Sequence, residues 1–293
     1  MAEEKSMMLH ELESGTYEVS YHPYRIRVND FVVLIREGML FVKKAEPLVL
    51  PRYREVREAS EGMEYRYLFS IDGERFFGAF NGTVKKGLFG TVKVGLIRQL
   101  SPKKTVFASS MGNQLIGWYE RSAFCGRCGT PTEHAKTERM MRCPKCGNMI
   151  YPQICPSVII GVFYEGKLLV TRYNPNHLMI NNGKTFRPSP KDSLVAGYIE
   201  AGETAEQAVA REVMEEVGLK VKNIRYLKSA PWPFSSSLLF GYLCDVDGDP
   251  KIRIDEEELS FAGFKAPEEI GIRVNDVSLT SEIMEDFRTG KLA

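Results

Sequence analysis

Gly197-Tyr-Ile-Glu-Ala-Gly-Glu-Thr-Ala-Glu-Gln-Ala-Val-Ala-Arg-Glu-Val-Met-Glu-Glu-Val-Gly-Leu219 is the stretch whose reading decides the fold. Thr204 and Gln207, three residues apart, have the spacing of a capping box, in which two side chains satisfy exposed backbone N–H groups at a helix start. Gly218 supplies a left-handed stop. Between them Val209, Val213 and Val217 recur every fourth residue, so the segment predicts a helix over about 205–217 with one buried stripe. Glu212, Glu215 and Glu216 stand at i, i+3 and i+4 and share the adjacent face. Three like charges on one turn repel, and a lone Glu-x-x-Glu-Glu would read as a solvated acidic face. Here Arg211 precedes the cluster and can pair with Glu215, while Gly197 and Gly202 free the approach loop to bend closely around the helix start. Hard oxygen ligands packed this way suit Mg²⁺ or Mn²⁺, which would relieve the repulsion.

Upstream, Cys125-Gly-Arg-Cys128 and Cys143-Pro-Lys-Cys146 are two C-x2-C pairs, each followed by glycine. Two such turns aim four thiolates at one point, a tetrahedral set that suits Zn²⁺. All four positions are filled by protein, so the site reads as structural, contributing folding free energy rather than chemistry. Redox C-x-x-C chemistry is disfavoured by the doubling of the pair. A nucleic-acid-reading ribbon draws some support from Lys136, Arg139, Arg142 and Lys145, offset by Glu133 and Glu138. Cys155 and Cys244 are read as small buried apolar residues.

The pattern G-x5-E-x7-R-E-U-x-E-E-x-G-U, with U a bulky aliphatic, marks the Nudix hydrolases. The chain resembles that family at Gly197, Glu203, Arg211, Glu212, Val213, Glu215, Glu216, Gly218 and Leu219. The resemblance implies a loop-helix-loop on an α/β/α sandwich with a mixed sheet. It implies that Glu212, Glu215 and Glu216 hold metal ions, with Gly197, Glu203 and Arg211 supporting loop and helix. A β-rich N-terminal region, a four-cysteine ribbon and then this domain resemble the NADH pyrophosphatase branch in layout. Ser229-Ala-Pro-Trp-Pro-Phe-Ser-Ser-Ser237 is similar to that branch's S-Q-P-W-P-F-P-x-S, with Ala230 in place of Gln and Ser235 in place of Pro. Two prolines around Trp232 restrict its backbone.

By the same resemblance Tyr151, Tyr198, Trp232 and Phe234 are candidate substrate contacts, and Glu258 is a further metal ligand and catalytic carboxylate from outside the box. The neighbouring Glu256 and Glu257 leave that register open, and a core or dimer-contact role for Trp232 stays open too. The implied reaction is metal-dependent hydrolysis of the pyrophosphate of NAD(H) to nicotinamide mononucleotide and AMP. Glu212, Glu215, Glu216 and Glu258 form its catalytic set, acting on a dinucleotide held by its rings. Removal of an NAD cap from an RNA 5′ end, or hydrolysis of ADP-ribose or a diadenosine polyphosphate, is the alternative. A non-catalytic nucleotide-sensing regulator is the alternative of another class, opposed by the complete set of box glutamates. The branch also implies a homodimer.

Outward from these motifs, 293 residues exceed one ordinary small domain. We expect a β-rich domain at 1–120, a zinc ribbon at 121–153 and the Nudix domain at 154–293. Glu37-Gly38, Asp72-Gly73 and Glu165-Gly166 lie between apolar runs and predict hairpins. A short helix is expected at 109–122, a strand at 193–196, and a long polar loop over 173–191 of the kind that often forms a lid. Apolar residues at 43% and charged residues at 26% indicate folded domains. A net charge of +1 leaves an acidic substrate to local groups or to metal cations. No apolar run reaches membrane-spanning length. Paired cysteines at metal spacing and the acidic start point to a cytoplasmic protein.

Overall fold

The computed structural model describes residues 16–45, 47–85, 87–99, 102–176, 178–181, 184–187, 191–271 and 278–292. The chain divides between Gln153 and Ile154 into two compact units.

The first unit is β-rich, as expected. Glu64–Ile71 and Glu74–Phe80 form an antiparallel hairpin. Its turn is Asp72-Gly73, both left-handed with φ of 53° and 74°, the geometry that matches strand twist and favours Asp-Gly. Glu37-Gly38 turns the same way between Ile35–Arg36 and Met39–Val42. Phe31–Val33 lies parallel to the second hairpin strand. The helix expected at 109–122 spans Lys103–Arg121. It begins just after Pro102 because Val106, Phe107 and Met111 already carry its buried face there. A second helix, Tyr53–Ala59, has no counterpart in the sequence reading; its Glu55 carboxylate accepts from the Arg52 N–H at 2.8 Å. The cysteine segment belongs to this unit. Its short strands Glu133–His134, Met141–Arg142 and Met149–Ile150 form a three-stranded sheet.

The second unit is built on a six-stranded mixed sheet. Cys155–Tyr164 is its central strand. It runs parallel to Ser237–Val246 and antiparallel to Val195–Tyr198 and Lys167–Tyr173. Val221–Trp232 and Leu259–Lys265 pair at the outer positions. Period-two alternation splits the central strand's side chains between two cores. Val158, Ile160 and Val162 pack with Ala208, Val209, Val213 and Val217 of the helix Ala205–Val217. Ile159 packs in the opposite core with Leu279, Ile283, Met284 and Phe287 of the helix Leu279–Arg288. Helices therefore cover both faces, giving the α/β/α arrangement. Each fully buried valine contributes about 1.5–3 kcal/mol of burial, which outweighs the repulsion on the acidic side of the same helix.

Three local features differ from the sequence expectation. The strand expected at 193–196 is Val195–Tyr198, with Ser193 in a single bridge to Thr171. The long polar loop contains a small hairpin, Met179–Asn181 with Lys184–Phe186, while residues 177, 182–183 and 188–190 lie outside the described residues. Cys244 is fully buried, but Cys155 is only half-buried. No helix among the described residues is long and apolar enough to cross a membrane.

Candidate functional site

The acidic helix starts and stops on the residues that its sequence names. Gln207 N–H donates to Thr204 Oγ1 at 3.2 Å and Thr204 N–H to Gln207 Oε1 at 2.8 Å. Gly218 closes the helix at φ 68°. The valine stripe pulls one side of this helix into the core and thereby sets the depth of each glutamate. Glu215 stays at the surface with 58% of its side chain exposed, Glu212 keeps 13%, and Glu216 is buried.

Glu216 Oε1 accepts from the Ala196 N–H at 3.2 Å, while Oε2 is buried and has no hydrogen-bond partner among the described residues. Burial, then the charge of Glu258, pushes its carboxyl up to about 9. Burial likewise raises Glu212, with Glu215 and Glu258 adding to the rise and Arg211 opposing it. Glu258 lies outside the helix, in the turn before Leu259–Lys265. That turn is tied to the helix end: Arg253 N–H donates to Val217 O at 2.9 Å and Asp255 N–H to Glu216 O at 2.9 Å. Asn174 N–H also donates to Glu258 O at 2.8 Å. Of the three adjacent glutamates, Glu256 and Glu257 are exposed, and Glu258 is the one whose charge acts on Glu212 and Glu216.

Arg211 organises the outer side of the cluster. Its guanidinium donates to both Glu203 oxygens at 2.8 and 3.0 Å, to Glu212 at 2.7 Å, to Glu215 at 2.9 Å and to the Tyr198 carbonyl at 2.9 Å. Glu203 in turn accepts from the Glu200 N–H at 3.0 Å, and Arg211 holds its carboxyl below the usual range. One planar fork thus ties the loop, the strand end and the helix together. Gly197 completes the arrangement: a Cβ there would lie 2.0 Å from the Glu212 carboxyl. Its bare backbone is the wall against which Glu212 rests.

The aromatic candidates fall into separate groups. Tyr198 is exposed and ends the strand beside Gly197. Trp232 and Phe234 sit at the tip of the hairpin joining Val221–Trp232 to Ser237–Val246, their ring centroids 5.0 Å apart at 61°. Ser157 pairs with Tyr198, and Cys155, two residues earlier on the same strand, pairs with Ser237. Tyr198 and the Trp232 tip therefore lie at the same end of the sheet. Tyr151 is exposed in the first unit. One site neighbour had no sequence signal. Tyr173 ends Lys167–Tyr173, and its phenol is raised by burial and then by Glu216 and Glu258, which places it among the carboxylates.

In the first unit the four cysteine Sγ atoms lie within 4.8 Å of one another. Cys125 and Cys146 are 3.6 Å apart, Cys128 and Cys143 3.5 Å, and Cys128 and Cys146 3.6 Å. A disulfide needs about 2.0 Å, whereas a tetrahedron with Zn–S bonds of about 2.3 Å has edges of about 3.8 Å. The two turns repeat each other. Gly129 N–H donates to Cys125 O at 2.8 Å and Gly147 N–H to Cys143 O at 3.0 Å. Both glycines are left-handed, at φ 69° and 73°, which explains a glycine after each pair.

Comparison with known proteins fits this geometry. The NUDIX domain family model matches residues 156–287, and the NADH pyrophosphatase zinc ribbon domain model matches 120–151. The NAD-capped RNA hydrolase NudC of Salmonella typhimurium strain LT2 is 36% identical over 195 residues, 66% of this chain and 71% of that protein. The chain belongs to the Nudix family. The Salmonella typhi NudC is 39% identical over 175 residues, and the match spans 63% of its length and 60% of this chain. The crystal structure of a NUDIX hydrolase from Nitrosomonas europaea is similar at 24% identity and a TM-score of 0.44, covering 57% of this chain and 93% of that one. The Nudix box of this chain is the Gly197–Leu219 segment described above, and its zinc ribbon domain carries the four gathered cysteines.

Proposed function

We propose that the protein hydrolyses the pyrophosphate bond of NAD(H), giving nicotinamide mononucleotide and AMP, with Mg²⁺ or Mn²⁺ at the carboxylates of Glu212, Glu215, Glu216 and Glu258. One observation carries the reading: Glu216 is buried with an orphaned oxygen beside two other carboxylates, and it forms no ion pair among the described residues. Burying unpaired like charges is costly, and a divalent cation is the partner that offsets the cost. The donor set is all oxygen, which fits a hard cation. Bound there, such ions would neutralise the diphosphate and make an attacking water more acidic.

The chain's own groups do the rest. Gly197 and Arg211 hold Glu212 in place, Glu203 anchors Arg211, and a carboxylate of the cluster accepts the proton of the attacking water. Water adds at one phosphorus, the bridging oxygen leaves with the other phosphate, and the atoms balance as two mononucleotides. Tyr198, Trp232 and Phe234 would supply the flat surfaces a nicotinamide or adenine ring needs, and Tyr151 is a separate aromatic candidate in the first unit. Zn²⁺ at Cys125, Cys128, Cys143 and Cys146 would tie 121–153 into a ribbon next to a β-rich 1–120, with the Nudix domain over 154–293. A cytoplasmic homodimer completes the reading.

The test is product analysis with NADH and Mn²⁺. Nicotinamide mononucleotide and AMP are expected; free nicotinamide, or no metal-dependent turnover, overturns the reading. A second substrate, NAD-capped RNA, is favoured by the names of the NudC relatives. A large preference for capped RNA over NADH in parallel assays would replace the free dinucleotide by the cap.

A further inference from the structure

The first unit contains a cleft of about 470 Å³ that the carboxylate site does not use. Two stacked ring pairs line it. Tyr21 lies on His134 with centroids 4.9 Å apart at 26°, and His22 lies on Tyr24 at 4.9 Å and 25°. Tyr67 forms the floor, edge-on to Tyr24 at 5.0 Å. Arg66 and Lys136 are the cations of the lining, which includes no carboxylate among the described residues. We propose that this cleft is a nucleotide-binding site, taking a nucleobase against its rings and the attached phosphate against Arg66 and Lys136.

Rings alone would make an ordinary aromatic cluster. The open cleft, the fixed His134 ring and the cations at its lining point to a ligand. Tyr67 is almost wholly buried at 3% exposure, and the Ser70 hydroxyl is the polar neighbour of its own hydroxyl. His134 is held in place by hydrogen bonds at both ring nitrogens. Its Nδ1 lies 2.5 Å from the Ala135 carbonyl, which can only accept, so Nδ1 carries the hydrogen, and Nε2 is hydrogen-bonded with the Tyr119 hydroxyl at 2.9 Å. Burial lowers its basicity, the Ala135 carbonyl opposes that, and Arg66 and Arg139 add to it. An imidazole stacked on a phenol is a base-stacking platform, and Lys136, with Arg66 shared with Glu64 at 3.7 Å, gives the anion preference that a nucleotide needs. This site is independent of the proposed hydrolysis, since none of its residues belongs to the box.

The base could come from a free mononucleotide or from a single-stranded RNA. The experiment measures anisotropy of a short labelled oligoadenylate on the full zinc-loaded chain without added Mg²⁺ or Mn²⁺, with AMP as competitor. The variants are Tyr24→Leu and Lys136→Glu, both at exposed positions. Each is expected to weaken binding roughly fivefold or more, the range of a lost stacking partner, while NADH turnover stays at the parent level. Lys136→Glu should also lower the salt dependence by about 0.7 in log–log slope. Full displacement by AMP assigns the site to a single nucleotide, and resistance to AMP assigns it to a strand; either supports the proposal. No binding by the parent chain, unchanged binding by both variants, or an equal loss of NADH turnover overturns it.

Discussion

Gly197→Ala isolates the positioning of one carboxylate from the stability of the fold. The added Cβ would lie 2.0 Å from Glu212 Cδ and Oε1 and 2.3 Å from Oε2, against 3.4–4 Å for ordinary contact. Gly197 does not sit at a left-handed φ, so alanine meets no backbone strain, and the conflict falls entirely on the Glu212 side-chain end. That end can swing, so the carboxyl retreats by more than 1 Å, against the pull of Arg211 at 2.7 Å. A misplacement of about 1 Å at a reacting site costs on the order of 10²-fold in rate. Relief by side-chain rotation holds the stability change to about 1 kcal/mol, or roughly 2–4 °C in Tm for a unit of this size. The assay pairs kcat/KM for NADH at saturating Mn²⁺ with thermal unfolding. Full activity at unchanged Tm would refute the argument that Glu212 must rest on bare backbone. A loss of activity accompanied by a collapse in Tm would show that the glycine serves folding instead.

Further outcomes are expected from the same geometry. Unfolded, the Glu216 carboxyl titrates near 4.5, and folded it holds its proton up to about 9. Between those values the folded state binds more protons than the unfolded one. Its contribution to stability is therefore full below 4.5 and falls as pH rises, by at most about 1.4 kcal/mol per unit. Glu216→Gln should flatten that decline in Tm without added Mg²⁺ or Mn²⁺, and should lower Mn²⁺-dependent turnover by roughly 100-fold or more. Arg211→Lys keeps the charge but loses the fork to Glu203, Glu212, Glu215 and Tyr198; activity titrated against Mn²⁺ should show metal affinity down about 10–100-fold. Cys143→Ser should abolish stoichiometric zinc by metal analysis and open the first unit to proteolysis; retention of both zinc and protease resistance would remove the ribbon assignment.

Local features were legible in the sequence. The helix 205–217, its Thr204–Gln207 cap, its Gly218 stop and the Asp-Gly and Glu-Gly hairpins depend on residues a few positions apart, and the structure reproduces them. Less local features are not legible in the sequence. Tyr53–Ala59 carries no strong periodic signal, the start of Lys103–Arg121 is set by what it buries, and the polar run 173–191 hides a paired segment. Three equal glutamates on one helical turn also look alike as letters, yet the structure gives them three different depths.

By itself the sequence determined the box helix, its caps, its turns and the two thiol pairs, because each is a short-range pattern of spacing and backbone preference. Only the tertiary structure decided that Glu258 faces Glu216, that Tyr173 joins them, that Glu212 leans on Gly197, and that Tyr21 stacks on His134. Those pairs are far apart along the chain, and their meeting depends on strand pairing and core packing. How deeply a carboxylate is buried depends on the same packing, so its electrostatics could not be read from the order of residues.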